Sequence, residues 1–269
     1  MSIEGTLPRL APQQVLVPLG RVRAPAYRLI CVPHAGGGSA TFRPWPAGLP
    51  DWLEVVAVRL PGREALIDVP PLDRIDPVVE LVAGALRSRY TDGVPFGLFG
   101  HSMGALICYA LADRLRGDGG DVAQHLFVAG RRGAHIPDPP PVLHRLPREQ
   151  FVERVLALDG IPEHVLQQPE ILELTVPALQ ADFAVCEMYR HRAAPALPCS
   201  ISAFGGDADP TTTVEQLRGW APHTAGRFRM RIYPGNHFFL GPCRDDILRA
   251  VVADITADGH GPAPHGVVT

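Results

Sequence analysis

The pentapeptide Gly100-His101-Ser102-Met103-Gly104 constrains the fold of this chain more than any other stretch. It follows a short apolar run at 96–99, which is typical of a buried strand, and it precedes residues 105–116, which read as a helix. A serine at a sharp turn between a strand and a helix forms a nucleophile elbow. The two glycines permit the close approach, and the helix N-terminus favours a developing anion. We therefore predict that Ser102 is a catalytic nucleophile.

Length and composition limit the class of protein. The chain has 269 residues, of which 46% are hydrophobic, and this indicates one large globular domain with room for an insertion. The net charge of −3 argues against a nucleic-acid partner. We expect neither a signal peptide nor a membrane span, because no basic segment precedes an apolar core and no apolar run reaches about 18 residues.

The cysteines and histidines predict neither disulfides nor a metal site. The five cysteines are widely spaced and none forms a CxxC pair. Free buried thiols in a reducing cytoplasm are therefore the better interpretation. Because no Cys or His cluster has metal-ligand spacing, we expect no metal and no cofactor.

Strands and helices alternate up to Gly130. After an edge strand near 15–17, buried strands are predicted at 27–32, 55–60, 96–99 and 125–128, and a helix is predicted at 73–90. Such alternation predicts an α/β fold with a mostly parallel sheet that is covered on both faces.

The alternation stops after Gly130 and resumes near Cys199. Residues 148–191 read only as helices, at 149–158, 162–167 and 169–189, and Pro177 is expected to kink or break the last of them. Strands at 200–204 and 228–233 and helices at 213–220 and 245–255 follow. We predict a core of residues 1–130 and 196–257, a helical lid insertion at 131–195, and a disordered tail at 258–269.

A serine nucleophile needs a histidine base and an orienting carboxylate, in the chain order serine, acid, histidine for an α/β hydrolase. His237 follows a late strand on a short Pro-Gly-Asn loop, where such a base should lie. The acid should follow the preceding strand, where Asp207 and Asp209 both qualify. The spacing Gly206-x-x-Asp209 favours Asp209, and Asp207 is then a turn or cap residue.

A glycine-rich loop, His34-Ala35-Gly36-Gly37-Gly38-Ser39, follows the strand at 27–32. It lacks the Lys-Ser/Thr of a P-loop. In an α/β hydrolase this loop supplies one N–H group to the oxyanion hole, and the residue after the nucleophile supplies the other. We predict that Ala35 and Met103 are these two donors. His34 is expected to pack within the loop rather than act as the base.

The predicted lid carries apolar residues that are candidates to line an acyl tunnel, and the alternative is that they only pack the lid onto the core. They are Leu172, Leu174, Leu179, Phe183, Val185 and Met188. Asp182 is expected to pair with an arginine within the lid, and no chemistry is assigned to it.

Together these motifs resemble the discrete type II thioesterases of polyketide and non-ribosomal peptide synthesis, whose relatives serve medium-chain fatty acid synthesis. The resemblance extends from about Arg28 to Ala250. Its most specific parts are the His-Ala-Gly-Gly loop and Pro61-Gly62-Arg63-Glu64. Two departures are present: the family often has a further arginine where this chain has Ala65-Leu66-Ile67, and a valine where it has Thr211-Thr212. Neither is expected to touch the chemistry.

The resemblance implies a Ser102–His237–Asp209 thioesterase that removes acyl groups from the phosphopantetheine arm of acyl or peptidyl carrier proteins and thereby edits stalled synthases. It implies no cofactor and, by default, a monomer. Because carrier proteins are usually acidic, several arginines are candidate docking contacts, although each is individually more typical of a solvated surface charge. They are Arg131, Arg132, Arg145, Arg148, Arg190 and Arg192. A small-molecule carboxylesterase or lipase, an acyltransferase and a non-catalytic hydrolase-fold protein remain alternatives.

Overall fold

The computed structural model describes residues 9–117, 122–156 and 169–261. Within them seven strands form one sheet: β1 (Leu16–Leu19), β2 (Tyr27–Val32), β3 (Leu53–Val58), β4 (Phe96–His101), β5 (His125–Ala129), β6 (Ser200–Gly206) and β7 (Phe228–Tyr233). The strand order is β1-β3-β2-β4-β5-β6-β7. Only the pairing of the edge strand β1 with β3 is antiparallel, so the predicted mostly parallel sheet is confirmed.

Helices cover both faces of the sheet because its central strands are apolar on both sides. The described helices are α1 (Pro12–Val15), α2 (Ile75–Arg89), α3 (Met103–Gly117), α4 (Arg148–Leu156), α5 (Pro169–Glu187), α6 (Val214–Arg218) and α7 (Arg244–Ala257). One buried cluster joins the sheet to α2 and α3. A second, rich in phenylalanine, joins the opposite face to α7. The parallel strands therefore present their carboxyl ends, and the loops that follow them, at a common edge.

The chain between β5 and β6, here called the insertion, contributes the helices α4 and α5. Phe151 and Val155 of α4 pack against Val176 and Leu179 of α5 in a small cluster of their own. Pro177 lies inside α5, and the helix continues through it, so the predicted break is absent. The predicted helix at 162–167 lies outside the described residues.

Local sequence signals define the last elements. Thr213 caps α6 by accepting a hydrogen bond from the Gln216 N–H at 3.2 Å, and the Gln216 side chain accepts the Thr213 N–H at 3.0 Å, which completes a capping box.

After α7, His260 packs with its ring 5.5 Å from Tyr27. The rest of the predicted tail, 262–269, lies outside the described residues. No helix in the described ranges is both long and apolar enough to cross a membrane.

Candidate active site

The elbow between β4 and α3 holds Ser102 in a strained backbone conformation. Its φ angle is +55°, in the left-handed region that a residue with a side chain rarely adopts. The Ser102 N–H donates to the Ala129 carbonyl at 2.8 Å, which ties the turn to the neighbouring strand. A Cβ on Gly104 would lie 2.1 Å from the Val32 carbonyl oxygen, so only glycine fits there. The sequence prediction of a nucleophile elbow thus corresponds to a tight strand–turn–helix.

Asp209 and His237 meet beyond the ends of β6 and β7. The His237 Nδ1 lies 2.8 Å from Asp209 Oδ2, and the aspartate side chain is only 1% exposed. Since a carboxylate only accepts hydrogen bonds, Nδ1 carries the proton and Nε2 is left to accept one. Burial alone would raise the pKa of Asp209, but hydrogen bonds from His237 and Thr211 outweigh it and hold the pKa below its ordinary value.

Asp207, the other candidate acid, has a different partner. Its Oδ1 accepts the Gly235 N–H at 2.9 Å, which joins the loop after β6 to the loop that carries His237. The residue is exposed. Of the two candidates, Asp209 therefore contacts the histidine and Asp207 braces a turn.

Thr211 is a neighbour of this pair whose contact with it the sequence analysis did not predict. Its backbone N–H and its hydroxyl each donate to Asp209 Oδ1 at 2.7 Å, and the same hydroxyl lies 2.9 Å from His237 Nδ1. The departure at Thr211-Thr212 was expected not to touch the chemistry, yet Thr211 contacts both members of the Asp209–His237 pair. An aspartate side chain commonly accepts the backbone N–H two residues further on, and this is the signal that would have placed Thr211 beside Asp209.

His101, the second residue of the elbow, supports the loop that carries His237. Its Nε2 lies 2.9 Å from the His237 carbonyl oxygen, and because a carbonyl only accepts, Nε2 is the donor. Burial lowers the pKa of His101 well below its ordinary value, so the ring is neutral. His34 packs edge-on against it, with ring centres 5.3 Å apart. Within its own loop, the His34 Nδ1 donates to the Ala35 carbonyl at 2.8 Å.

The glycine-rich loop forms a four-residue turn. The Gly37 N–H donates to the His34 carbonyl at 2.9 Å, and Gly36 has φ +75°, as a type II turn requires. Within the described part of the chain, the Ala35 N–H donates to no other group. Met103 opens α3, so its N–H has no partner within the helix. Neither predicted oxyanion N–H therefore has a hydrogen-bond partner among the described residues.

Ser102, Ala35 and His237 line one cavity of about 390 Å³. Residues of the insertion form much of the rest of its wall. Of the six predicted tunnel residues, only Leu179 and Phe183 line this cavity.

The other predicted tunnel residues face elsewhere. Val185 and Met188 line a separate cavity of about 440 Å³ between α2, α3 and the end of α5. Leu174 is 61% exposed, and Leu172 packs against the cluster between α4 and α5. Which of the six residues lines the cavity beside Ser102 therefore depends on the side of α5, or of the chain directly after it, from which the residue projects.

Two of the six arginines proposed for docking belong to the cavity wall. Arg131 and Arg132 both line it, and Arg131 forms an ion pair with Asp138 at 2.9 Å. The Arg132 side chain is buried and donates to the Thr211 carbonyl at 2.6 Å. Neither therefore lies on an open docking surface. By contrast, Arg192 is 88% exposed and lies 3.8 Å from Asp76.

The cysteines of the chain are unpaired, and one of them, Cys186, lines this cavity. All five cysteines are free, and four of them are buried. The described ranges contain no group of three or more His, Cys, Asp or Glu side chains placed to hold a metal ion.

The topology, the elbow and the Asp209–His237 pair define a protein of the α/β-hydrolase fold. Residues 27–257 match the family model described as a thioesterase domain, and the chain belongs to this thioesterase family.

Two characterised relatives illustrate the similarity. The gramicidin S biosynthesis protein GrsT of Aneurinibacillus migulanus is 40% identical over 213 residues, which cover 79% of this chain and 82% of the relative. Thioesterase PikA5 of Streptomyces venezuelae is 34% identical over 215 residues, with coverage of 80% and 76%.

Solved structures agree with this assignment. RedJ, a thioesterase from the prodiginine pathway of Streptomyces coelicolor, has a TM-score of 0.81 at 38% identity and covers 87% of this chain and 92% of its own. The type II thioesterase BorB from the borrelidin cluster has a TM-score of 0.79 at 34% identity, with coverage of 89% and 96%.

Proposed function

We propose that this chain hydrolyses acyl thioesters carried on the phosphopantetheine arm of acyl or peptidyl carrier proteins, as an editing enzyme of a polyketide or non-ribosomal peptide synthase. The observation that carries the proposal is the hydrogen-bonded Asp209–His237 pair, whose histidine lines the same cavity as the strained Ser102. Membership of the thioesterase family and similarity to thioesterases of biosynthetic clusters supply the substrate class.

Acylation begins when the His237 Nε2 takes the proton of the Ser102 hydroxyl as the oxygen attacks the thioester carbonyl. The Asp209 carboxylate accepts the Nδ1–H throughout, which keeps the ring in the correct tautomer and stabilises the imidazolium that forms. The tetrahedral intermediate then expels the pantetheine sulfur, which receives the proton from Nε2. Ser102 is left carrying the acyl group.

Deacylation repeats the same proton movements with water as the nucleophile. His237 takes a proton from the water, hydroxide attacks the acyl-serine carbonyl, and the proton returns to the Ser102 oxygen as it leaves. The products are a free carboxylic acid and the regenerated enzyme.

The oxyanion of both intermediates is held by the N–H groups of Ala35 and Met103. Preorganised donors of this kind usually make the largest single contribution to acyl-transfer catalysis. The availability of both N–H groups, and the place of Met103 at the start of α3, support these roles.

The insertion is proposed to act as a lid that closes the acyl chamber. Leu179 and Phe183 of α5 line the cavity beside Ser102, and apolar walls suit an acyl chain. The carrier protein would dock on the surface next to this cavity, and its pantetheine arm would enter the cavity and reach Ser102. Four of the six candidate arginines are exposed and remain candidates for contact with an acidic partner: Arg145, Arg148, Arg190 and Arg192. Arg192 lies by the separate cavity of about 440 Å³.

The enzyme is further proposed to act as a cytoplasmic monomer without a cofactor. Five unpaired cysteines suit a reducing compartment. The mechanism above requires no group beyond the side chains and backbone of this chain. Light scattering on the purified protein measures the oligomeric state, and a stable dimer would contradict this part of the proposal.

A parallel assay tests the substrate class. The enzyme is offered an acyl carrier protein loaded with an acyl group, the matching acyl-CoA and a simple ester of the same acid. We expect the carrier-bound thioester to have the highest kcat/KM, and Ser102→Ala to abolish turnover while leaving the fold intact. Far faster turnover of the simple ester would indicate a carboxylesterase, and acyl transfer to an added amine or alcohol would indicate an acyltransferase.

A further inference from the structure

The Pro61-Gly62-Arg63-Glu64 motif takes no direct part in the mechanism above, yet its arginine forms a buried ion pair with the insertion. The Arg63 Nη1 and Nη2 donate to the two oxygens of Asp182, on α5, at 2.8 and 2.7 Å. The two side chains are 9% and 2% exposed. The expectation that Asp182 pairs with an arginine of the lid is therefore wrong, since its partner lies 119 positions earlier in the chain.

This ion pair also holds the glycine-rich turn from both sides. Asp182 Oδ2 accepts the Gly36 N–H at 2.7 Å, and Arg63 Nη1 donates to the Gly37 carbonyl at 2.8 Å. Arg63 belongs to the core and Asp182 belongs to the insertion, so the turn is held by groups from both parts of the chain. The Ala35–Gly36 peptide and the Gly37–Gly38 peptide are therefore each held by a side chain from outside the turn.

The other half of the motif holds the following part of the same loop. The Glu64 carboxylate accepts the Ser39 hydroxyl at 2.6 Å and the Ala40 N–H at 3.1 Å. Its position is local to the core and does not depend on the insertion. Arg63 is thus the member of the motif that connects the loop to α5.

Helix α5 packs closely against both turns at this contact. A Cβ on Gly36 would lie 2.9 Å from Leu179 Cδ1, and a Cβ on Gly62 would lie 3.0 Å from Ala178 Cβ. Both glycines have positive φ angles, +75° and +81°. Leu179 and Ala178 of α5 therefore contact the turns at Gly36 and Gly62 directly.

Ala35, which lines the cavity, comes directly before Gly36 in the turn. Asp182 accepts the N–H of the Ala35–Gly36 peptide, and this peptide adjoins the one that carries the Ala35 N–H. Holding the first peptide in place therefore limits the directions in which the Ala35 N–H can point. We propose that Arg63 and Asp182 are positioning residues that set the direction of the Ala35 N–H and thereby couple the seating of α5 to the completion of the oxyanion hole. The inference rests on the proposed function, because it assumes that an oxyanion forms beside Ala35.

A single variant and a double variant distinguish an effect on the position of the Ala35 N–H from an effect on the stability of the fold. Asp182→Leu alone leaves the arginine buried without a charge partner and is expected to destabilise the fold. The double variant Arg63→Met/Asp182→Leu replaces the pair with apolar groups, which is often neutral or stabilising for a buried ion pair. It restores packing but not the acceptor for Gly36, so a positioning role predicts a folded enzyme that stays impaired.

Arg28→Met is the matched control. Arg28 is also buried, and it binds Glu54 and Asp92 at the amino end of β2, away from the cavity. Its loss should lower the melting temperature and leave kcat of the folded enzyme unchanged. A fall in kcat for this control would indicate that any lost buried arginine impairs turnover.

Three readouts are compared in each folded variant: kcat and KM for the acyl thioester, the Ki of an alkyl boronic acid that forms a tetrahedral adduct with the serine, and the Kd of a thioether analogue without a carbonyl. In the double variant we expect kcat to fall roughly 10- to 100-fold, less than or equal to the loss of one oxyanion donor. The boronate Ki should rise in parallel, and the thioether Kd should stay within about twofold.

A wild-type kcat and boronate Ki in the folded double variant would overturn the inference. If that variant does not fold, Arg63→Leu/Asp182→Ala replaces it, since it also removes both charges and the acceptor of the Gly36 N–H. An unchanged kcat and boronate Ki in that folded variant would likewise overturn the inference. The proposed function fails separately, through absent thioester hydrolysis by the wild type or retained turnover in Ser102→Ala. The boronate comparison still reports on the turn in the former case, because it needs only the serine hydroxyl.

Discussion

Replacing Asp209 by asparagine tests the proposed acid at the level of a single proton. The carboxylate has two acceptor oxygens: Oδ1 accepts the N–H and the hydroxyl of Thr211, and Oδ2 accepts the Nδ1–H of His237. An asparagine has one acceptor oxygen and one donating amino group. If its oxygen keeps the two bonds from Thr211, its amino group must face His237.

That arrangement forces the wrong tautomer on the base. With a donor facing it, His237 Nδ1 must accept, so the single proton of the neutral ring moves to Nε2. The protonated Nε2 no longer removes the proton of Ser102. In a serine protease triad this change costs roughly 10⁴-fold in kcat, which corresponds to about 5 kcal/mol in the activation free energy. We expect a loss of the same order here.

The matched control lies two residues earlier. Asp207 accepts the Gly235 N–H at 2.9 Å, a bond that the amide oxygen of asparagine also accepts. We therefore expect Asp207→Asn to retain kcat within about twofold. The assay is steady-state hydrolysis of an acyl-pantetheine thioester by both variants, with circular dichroism to verify the fold.

The outcome that would refute this reasoning is a larger loss at Asp207 than at Asp209. A folded Asp209→Asn variant with near wild-type kcat would equally show that the hydrogen-bonded pair is not the source of the base's activity. Equal, moderate losses in both variants would point to a general loosening of the two loops.

Three further predictions concern other parts of the molecule. Thr211→Val removes a hydroxyl bond to the buried carboxylate and should lower kcat roughly tenfold, whereas Thr212→Val, which loses only a 3.5 Å contact to a backbone carbonyl, should change it less than about twofold in the same assay. Gly104→Ala places a Cβ 2.1 Å from a β2 carbonyl oxygen and should prevent folding, whereas Gly84→Ala, with nothing within 4 Å, should raise the free energy of unfolding by about 1 kcal/mol; denaturant titration checks both. Burial, with neighbouring histidines, lowers the pKa of His223 from 6.5 to about 4, so the unfolded chain binds its proton first and stability falls as the pH drops from 6.5 to 4. The slope is about 1.4 kcal/mol per pH unit for this group, and an unchanged slope in His223→Gln would contradict the assignment.

Much of the fold could be read from local patterns. The buried strands are continuous apolar runs, and the structure places β2 and β7 at the predicted residues and β4, β5 and β6 within two residues of them. Such strands are recognisable because both faces of a parallel sheet are covered. Of the kink or break expected at Pro177, the break is absent: a proline removes one hydrogen bond from a helix, and the packing of Val176 and Leu179 accompanies a helix that continues through it.

Parts of the site were also local. Gly100 and Gly104 flank the serine at fixed spacing, and Asp209 and His237 follow strands at the edge where such loops converge. The choice between Asp207 and Asp209 was harder, because residues two apart on a turn have different partners and the turn alone decides which side chain faces the histidine. Spacing favoured Asp209, and its hydrogen bond to His237 agrees with that choice.

The sequence by itself determined the strand–serine–helix element, the parallel sheet and the order of the acid and the base, because each depends on neighbours within a few residues or on chain order. Only the tertiary structure decided that Arg63 pairs with Asp182, that His101 supports the His237 loop, and which side of α5 faces the cavity. The first two contacts join residues 119 and 136 positions apart, and no local pattern encodes them. A buried charge needs a partner, but the identity of that partner depends on how the insertion rests on the sheet.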